Sequence, residues 1–254
     1  MKTELPTGKV LHIEIRRDAI PSYNVYPFSI AAIRQCERLP LDSRVTFLVG
    51  NNGSGKSTII EAIASALGIN PEGGSRNFNF ATRQSHSNLA RFLRIARTGR
   101  LEDTFFLRAE SVFNVATEIE RLDDEPWDKS PKIIDSYGGK SLHEQSHGES
   151  FLAIARKRLG KRGFYLMDEP EAALSSTGQL ALLSLIDNWV TAGDCQLLIA
   201  THSPILIGYP KATIYELSEN GIQPVSYKET QLYQFYRDFL CAPELFLNRF
   251  AGKQ

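Results

Sequence analysis

Short apolar runs alternate with longer amphipathic stretches along this chain, and the alternation predicts an α/β fold. Val45-Thr46-Phe47-Leu48-Val49 is apolar, rich in β-branched residues and ended by Gly50, so it reads as a short buried strand. Ile59, Ile60, Ile63, Ala64 and Leu67 then recur at helical spacing, and Gly68 is a stop signal. Thr104–Leu107, Phe164–Met167 and Gln196–Ala200 are further short buried strands. Periodicity predicts helices over 87–98, 110–122 and 176–190. Another starts near Glu149, with Phe151, Leu152, Ile154, Ala155 and Leu159 on its apolar face. The tail from Glu229 to Phe250 also reads as helical, with aromatics at Tyr233, Phe235, Tyr236 and Phe239. Val10 to Arg16 alternates as a strand, and Phe28 to Ile33 is expected to pair with it in a small antiparallel layer. Tyr215 to Tyr227 predicts a hairpin turning at Asn220-Gly221. Because strands and helices alternate, the sheet should be mostly parallel, with helices on both faces. There is no internal repeat, and residues 1–254 are expected to form a single domain.

The chemistry falls at the strand ends. Gly50-Asn51-Asn52-Gly53-Ser54-Gly55-Lys56-Ser57-Thr58 joins the strand at 45–49 to the helix after it, which is the context a phosphate-binding loop requires. Its glycines let the backbone aim successive N–H groups at phosphate oxygens, and the helix N-terminus adds partial positive charge. Lys56 can reach the β- and γ-phosphates, and the Ser57 hydroxyl suits Mg²⁺. Phe164–Met167 ends in Asp168-Glu169-Pro170. Neighbouring side chains at a strand end point different ways, so Asp168 can serve a magnesium shell while Glu169 orients a water. Gln196–Ala200 leads into Thr201-His202-Ser203, which places His202 on the same sheet edge, within reach of a γ-phosphate. Ser146-His147-Gly148-Glu149 precedes a helix whose free N–H groups can meet a phosphate, although the same residues also suit an ordinary cap built on Ser146 or Ser150.

Taken in order, these segments resemble the ATP-binding cassette (ABC) ATPases. The phosphate loop is of that family's kind. Asp168-Glu169-Pro170 with Ala172-Ala173-Leu174-Ser175 resembles its Walker B element and D-loop, and His202 its switch histidine. Ser146-His147-Gly148-Glu149 resembles the signature motif, in the Ser-x-Gly-Glu form of the chromosome-maintenance (SMC) and RecF-like branch. The chain also looks like small stand-alone bacterial predicted ATPases that carry the run Ser141–Ser150, and the resemblance spans about residues 9 to 240. It implies an ABC-type P-loop head that binds ATP and Mg²⁺ and hydrolyses ATP, with Lys56, Glu169 and His202 catalytic and Ser57 and Asp168 holding the metal. It also implies a head-to-tail homodimer in which Ser146, Gly148 and Glu149 cover the partner's nucleotide. Phosphate-loop kinases fit poorly, since they have no use for the signature or for the Glu-Pro-x-x-x-Leu element. There are departures. Gln145 and His147 replace the leucine and glycine of the transporter signature, and Ser175 stands at the D-loop aspartate position. No Q-loop glutamine follows Thr104–Leu107, which leaves Arg108, Glu110 or the more distant Gln84 as candidates. Tyr26 and Phe28 are candidate platforms for adenine.

Composition narrows the setting. Apolar content of 42% and charged content of 23% are those of a soluble globular chain. Formal net charge is zero, so no global field draws the protein to nucleic acid or anionic lipid. Cys36, Cys195 and Cys241 are far apart in sequence and fit a reducing, cytoplasmic compartment. Neither a signal-peptide pattern nor an apolar run long enough to span a membrane is present, so a transport role would need a separate membrane protein. About ninety residues separate Lys56 from Ser146. That is room for a compact helical lobe over about 85–150, and too little for a long coiled-coil arm. From Arg76 to Arg100 there are six arginines and no acids, and Arg91, Arg94 and Arg97 would share one face of the helix expected at 87–98. Such a stripe could track nucleic-acid phosphates or dock an acidic partner, or it could be a solvated face. Arg156, Lys157, Arg158, Lys161 and Arg162 read as the basic end of the signature helix. Three outputs follow: a nucleic-acid-linked or defence-type motor, the nucleotide-binding subunit of a transporter, or a non-hydrolytic switch that recruits a partner.

Overall fold

The computed structural model describes residues 8–74, 88–123, 132–137, 139, 141–160, 162–193 and 195–251. In chain order the elements begin with strand β1 (Val10–Ile15), helix α1 (Ala31–Gln35), β2 (Arg38–Pro40), β3 (Val45–Gly50), α2 (Lys56–Ala66), β4 (Leu93–Arg97), β5 (Asp103–Arg108) and α3 (Val112–Asp123). They continue with α4 (His147–Arg158), β6 (Gly163–Asp168), α5 (Ser176–Ala192), β7 (Cys195–Ala200), β8 (Ala212–Ser218), β9 (Gly221–Val225), α6 (Gln231–Cys241) and α7 (Pro243–Ala251).

The central sheet has the order β5-β6-β7-β3-β8-β9, with β9 alone antiparallel, and a second, antiparallel sheet runs β2-β1-β4. β3, β6 and β7 are mostly apolar and buried along almost their whole length because both faces are covered. Val45, Phe47 and Val49 face a core completed by α3, α4 and α5, whereas Leu48 faces one completed by α1, α2 and the small sheet. Gln196, buried in β7, ties the two sheets together. It accepts from the Val10 N–H at 3.0 Å and donates to the carbonyls of Val10 and Leu41 at 2.9 and 2.7 Å.

Register aligns the strand ends that matter. Arg108 lies opposite Asp168, Asp168 opposite Ala200, and Ala200 opposite Leu48. One sheet edge therefore presents the starts of the phosphate loop, the acidic pair and the His202 loop, as parallel topology requires.

Three expectations need correction. Phe28 to Ile33 is not a strand: Phe28 is buried in a turn, Ala31 opens α1, and β1 pairs with β2 and β4 instead. The helix expected over 87–98 is not found among its described residues, 88–98. Within them a 3-10 turn covers Asn88–Phe92, and Leu93–Arg97 is β4, paired along β1 from Val10 to Ile15. The short apolar spacing suited either period, and an open edge on β1 decided it. The arginine stripe goes with that helix. Arg91 belongs to the turn, and Arg94 and Arg97, three apart on a strand, project to opposite faces. Within 85–150, helical structure among the described residues begins in earnest only at α3, after β4 and β5. The hairpin β8-β9, the helix α5 and the helical tail lie where the sequence places them. Among the described residues no helix is long and apolar enough to cross a membrane.

Candidate functional site

The loop after β3 takes its shape from three glycines. Gly50, Gly53 and Gly55 have φ of 146°, 77° and 102°, in the region that favours glycine. A Cβ on Gly50 would also lie 2.5 Å from the Leu217 carbonyl oxygen. Lys56 opens α2 and is buried. Its Nζ donates to the carbonyls of Gly50 at 2.9 Å and Asn51 at 3.2 Å, closing the loop on itself. Burial lowers the ammonium pKa, and Glu169, Asp168 and Glu171 act in the opposite direction. A phosphate oxygen would be a stronger, charge-assisted acceptor than either carbonyl.

Ser57 and Asp168 meet directly: Ser57 Oγ donates to Asp168 Oδ1 at 3.1 Å. The other carboxylate oxygen, Oδ2, faces Arg108 Nη2 at 3.4 Å. Arg108 is in turn anchored on α2 by Glu61 at 2.8 Å. Asp168 is only 4% exposed, and its pKa is pushed up to about 6. Burial is the main cause, Arg108 opposes it, and Glu169 adds to it. An oxygen-only pair holding a buried carboxylate short of positive charge suits a hard cation, and these two residues fit Mg²⁺.

Glu169 is the one non-glycine residue with positive φ (48°) among those described. A left-handed conformation is costly for such a residue, and here it is held by the N–H donating to Ala200 O at 2.9 Å and by Pro170 immediately after. The turn carries the Glu169 side chain away from Asp168 and to within 3.7 Å of His202, Oε1 to Nε2. That Nε2 is buried, and with Ser54 Oγ it is one of two buried side-chain polar atoms lacking a hydrogen bond among the described residues. Burial lowers the His202 pKa and Lys56 lowers it further, while Glu169 and Glu171 raise it.

A cavity of about 740 Å³ gathers these groups: Tyr26, Ile30, Asn52, Gly53, Gly55, Lys56, Ser57, Thr58, Glu169 and His202 line it. Gly50 does not line it but accepts from Lys56, and Asn51 and Ser54 line a second hollow with Ala31 and Leu217. Of the two aromatic candidates, Tyr26 is 62% exposed and its hydroxyl lies 3.1 Å from Thr58 Oγ1. Phe28 is buried edge-on against Phe92 and is core.

Ser146, Gly148 and Glu149 do not line this cavity. They form the exposed N-terminus of α4, where Ser146 and Glu149 make a capping box: the Ser146 N–H donates to Glu149 Oε2 at 3.0 Å, and Ser146 Oγ accepts from the Glu149 N–H at 3.4 Å. Ser150 is not the cap, because its buried hydroxyl donates to the Leu142 carbonyl at 2.7 Å. A Cβ on Gly148 would lie 2.9 Å from the Ala173 carbonyl, so only glycine lets α4 approach the turn after Glu169 this closely. Ser175 has a local explanation, since its hydroxyl caps α5 by accepting from the Gly178 N–H at 3.2 Å. At the position after β5, Arg108 reaches Asp168, while Glu110 is 83% exposed. Gln84 lies outside the described residues.

Sequence reading missed Glu61, Glu171 and Gln179. Glu171 accepts from Thr201 Oγ1 at 2.7 Å and from the His202 N–H, and Gln179 bridges Leu174 and Ser203. No spacing rule reports such contacts, which join segments far apart in the chain.

A family model described as an AAA domain matches residues 25–147. The cytochrome c biogenesis ATP-binding export protein CcmA of Rhodopseudomonas palustris is 30% identical over 165 residues, covering 62% of this chain and 78% of that protein. The energy-coupling factor transporter ATP-binding protein EcfA2 of Thermotoga maritima is 28% identical over 185 residues, covering 68% and 67%. Among solved structures, cbiO1 of Clostridium perfringens, part of an ABC transporter complex, is 18% identical with a TM-score of 0.47, covering 82% of this chain and 88% of that one. The SMC head domain of Thermotoga maritima is 14% identical with a TM-score of 0.46, covering 86% and 99%.

Proposed function

This chain belongs to the ABC-type P-loop ATPases, and from that premise we propose that it hydrolyses Mg-ATP at sites shared between two head-to-tail copies. The observation that carries the reading is the convergence of Lys56, Ser57, Glu169 and His202 on one cavity at one sheet edge, with Asp168 bonded behind Ser57. The triphosphate lies along the N–H groups of residues 50–58. Lys56 leaves the Gly50 and Asn51 carbonyls for the β- and γ-phosphate oxygens. Tyr26, which lines the cavity, stacks on the base. Ser57 and Asp168 hold Mg²⁺, which when bound neutralises charge developing on the phosphates. Glu169 accepts the proton of the attacking water as its oxygen bonds to the γ-phosphorus and the bond to the bridging oxygen breaks. His202 Nε2 donates to a γ-phosphate oxygen, which gives that buried atom its missing partner.

The exposed α4 N-terminus, outside its own chain's cavity, is the surface that covers a partner's γ-phosphate through Ser146 and Gly148. For the output, the loss of the one-faced arginine stripe removes the ground for nucleic-acid binding through Arg91, Arg94 and Arg97. One relative is named as an export protein and the other as a transporter ATP-binding protein, which favours the transport reading, and that reading needs a separate membrane protein. Steady-state release of phosphate tests the enzymatic reading. Glu169→Gln should lower kcat at least about 100-fold while nucleotide still binds, because it removes the proton acceptor alone. Lys56→Ala should abolish nucleotide binding. Full turnover by Glu169→Gln would refute the assignment.

A further inference from the structure

We propose that Glu171 is the positioning residue of His202: its carboxylate fixes the loop that carries the histidine to the turn that carries Glu169. The proposal rests on the reading of His202 as a γ-phosphate ligand. Glu171 Oε2 accepts the Thr201 hydroxyl at 2.7 Å, and Oε1 accepts the His202 N–H. Both donors need an acceptor. Thr201 is fully buried, and its oxygen already accepts the Ser203 N–H at 3.0 Å, so its proton must be given away. Two donors facing one side chain call for a group that only accepts, which is a carboxylate and not an amide. A glutamine here would satisfy one donor and oppose the other with its own N–H. A second tie comes from α5, where Gln179 Oε1 accepts the Ser203 hydroxyl at 2.5 Å and Gln179 Nε2 donates to the Leu174 carbonyl at 3.2 Å. The backbone around His202 is thereby bound on both sides, and the ring Nε2 is left over, 3.7 Å from Glu169. Glu171 does not line the cavity, so it acts through the histidine and not on substrate.

The test is a double-mutant cycle on Glu171→Ala and His202→Ala, read as kcat and KM for ATP. His202→Ala and Glu171→Ala should each lower kcat, by about 10-fold or more, with KM for ATP within about 3-fold of wild type. The double variant should be no slower than His202→Ala alone, within about 2-fold, because residues acting as one unit are not additive. Glu171→Gln, which keeps the volume and one acceptor, should fall between wild type and Glu171→Ala, and it carries the same cycle if the alanine variant does not fold. Multiplicative losses, or Glu171 variants at wild-type kcat beside an impaired His202→Ala, would overturn the positioning role. Wild-type kcat in His202→Ala would instead overturn the reading of His202 beneath it.

Discussion

Asp168 is ionised at neutral pH against the preference of its surroundings. Its folded pKa of about 6 lies above the unfolded carboxylate value, so the folded chain holds this proton more tightly than the unfolded chain does. The stability cost of the charged form is therefore full above pH 6, shrinks as pH falls through that value, and is gone near pH 4. Two pKa units correspond to roughly 2–3 kcal/mol. Asp168→Asn should then raise the Tm of the nucleotide-free protein by about 4–8 °C at pH 8, and the gain should fade as the pH is lowered toward 4.5. Calorimetry across that range checks it, and an equal Tm at pH 8 would mean that Arg108 already compensates the burial. Stability forgone at this carboxylate is what leaves it receptive to a cation. Such residues were legible to unequal degrees. Lys56 and Ser57 were visible because a phosphate loop is a contiguous motif whose strand and helix flank it in the sequence. Arg108 was only one candidate among three, since its partners Glu61 and Asp168 come from two other elements.

At the scale of elements, α4 is tied down at both ends. Its N-terminus packs on the Ala173 carbonyl through Gly148. Its last residue, Arg158, makes a two-pronged ion pair with Asp103 at 2.5 and 2.8 Å, and Tyr165 donates to the same carboxylate at 3.0 Å. The guanidinium also sits 5.0 Å over the Phe105 ring. This side chain, which composition would assign to a solvated basic turn, is therefore part of the frame, while Arg156 and Lys157 remain exposed at the helix end. Arg158→Ala takes the cation away from the partly buried Asp103 carboxylate and should cost about 2 kcal/mol in urea unfolding, against about 0.5 or less for Lys157→Ala. Equal effects would contradict the pairing. The period of α4 and its cap were readable from Ser146 onward because they are local. β4 was not, because Leu93–Arg97 becomes a strand only by completing β1, a partner some eighty residues earlier in the chain. Phe28–Ile33 failed for the related reason that β1 had better partners.

On the scale of the whole molecule, the composite site proposed above divides the work: one half is gathered at the sheet edge and the other is displayed elsewhere. The cavity holds the phosphate loop, Glu169 and His202, and the signature residues at the α4 N-terminus do not line it. The parallel order of strands was legible from the βα alternation, and with it the shared edge of the site. With zero formal net charge, and with Arg94 and Arg97 on opposite faces of β4, duplex DNA should bind weakly, with a shallow dependence on salt. Gel-shift titration at low salt checks this, and tight binding that weakens steeply with salt would restore a nucleic-acid role. The most direct test of the composite site is the mass of Glu169→Gln by light scattering, with and without Mg-ATP. A monomer that doubles in mass only with Mg-ATP, and no longer does so when Ser146 is replaced by arginine, is the predicted result. A variant that binds Mg-ATP and stays monomeric would contradict a site shared between two copies.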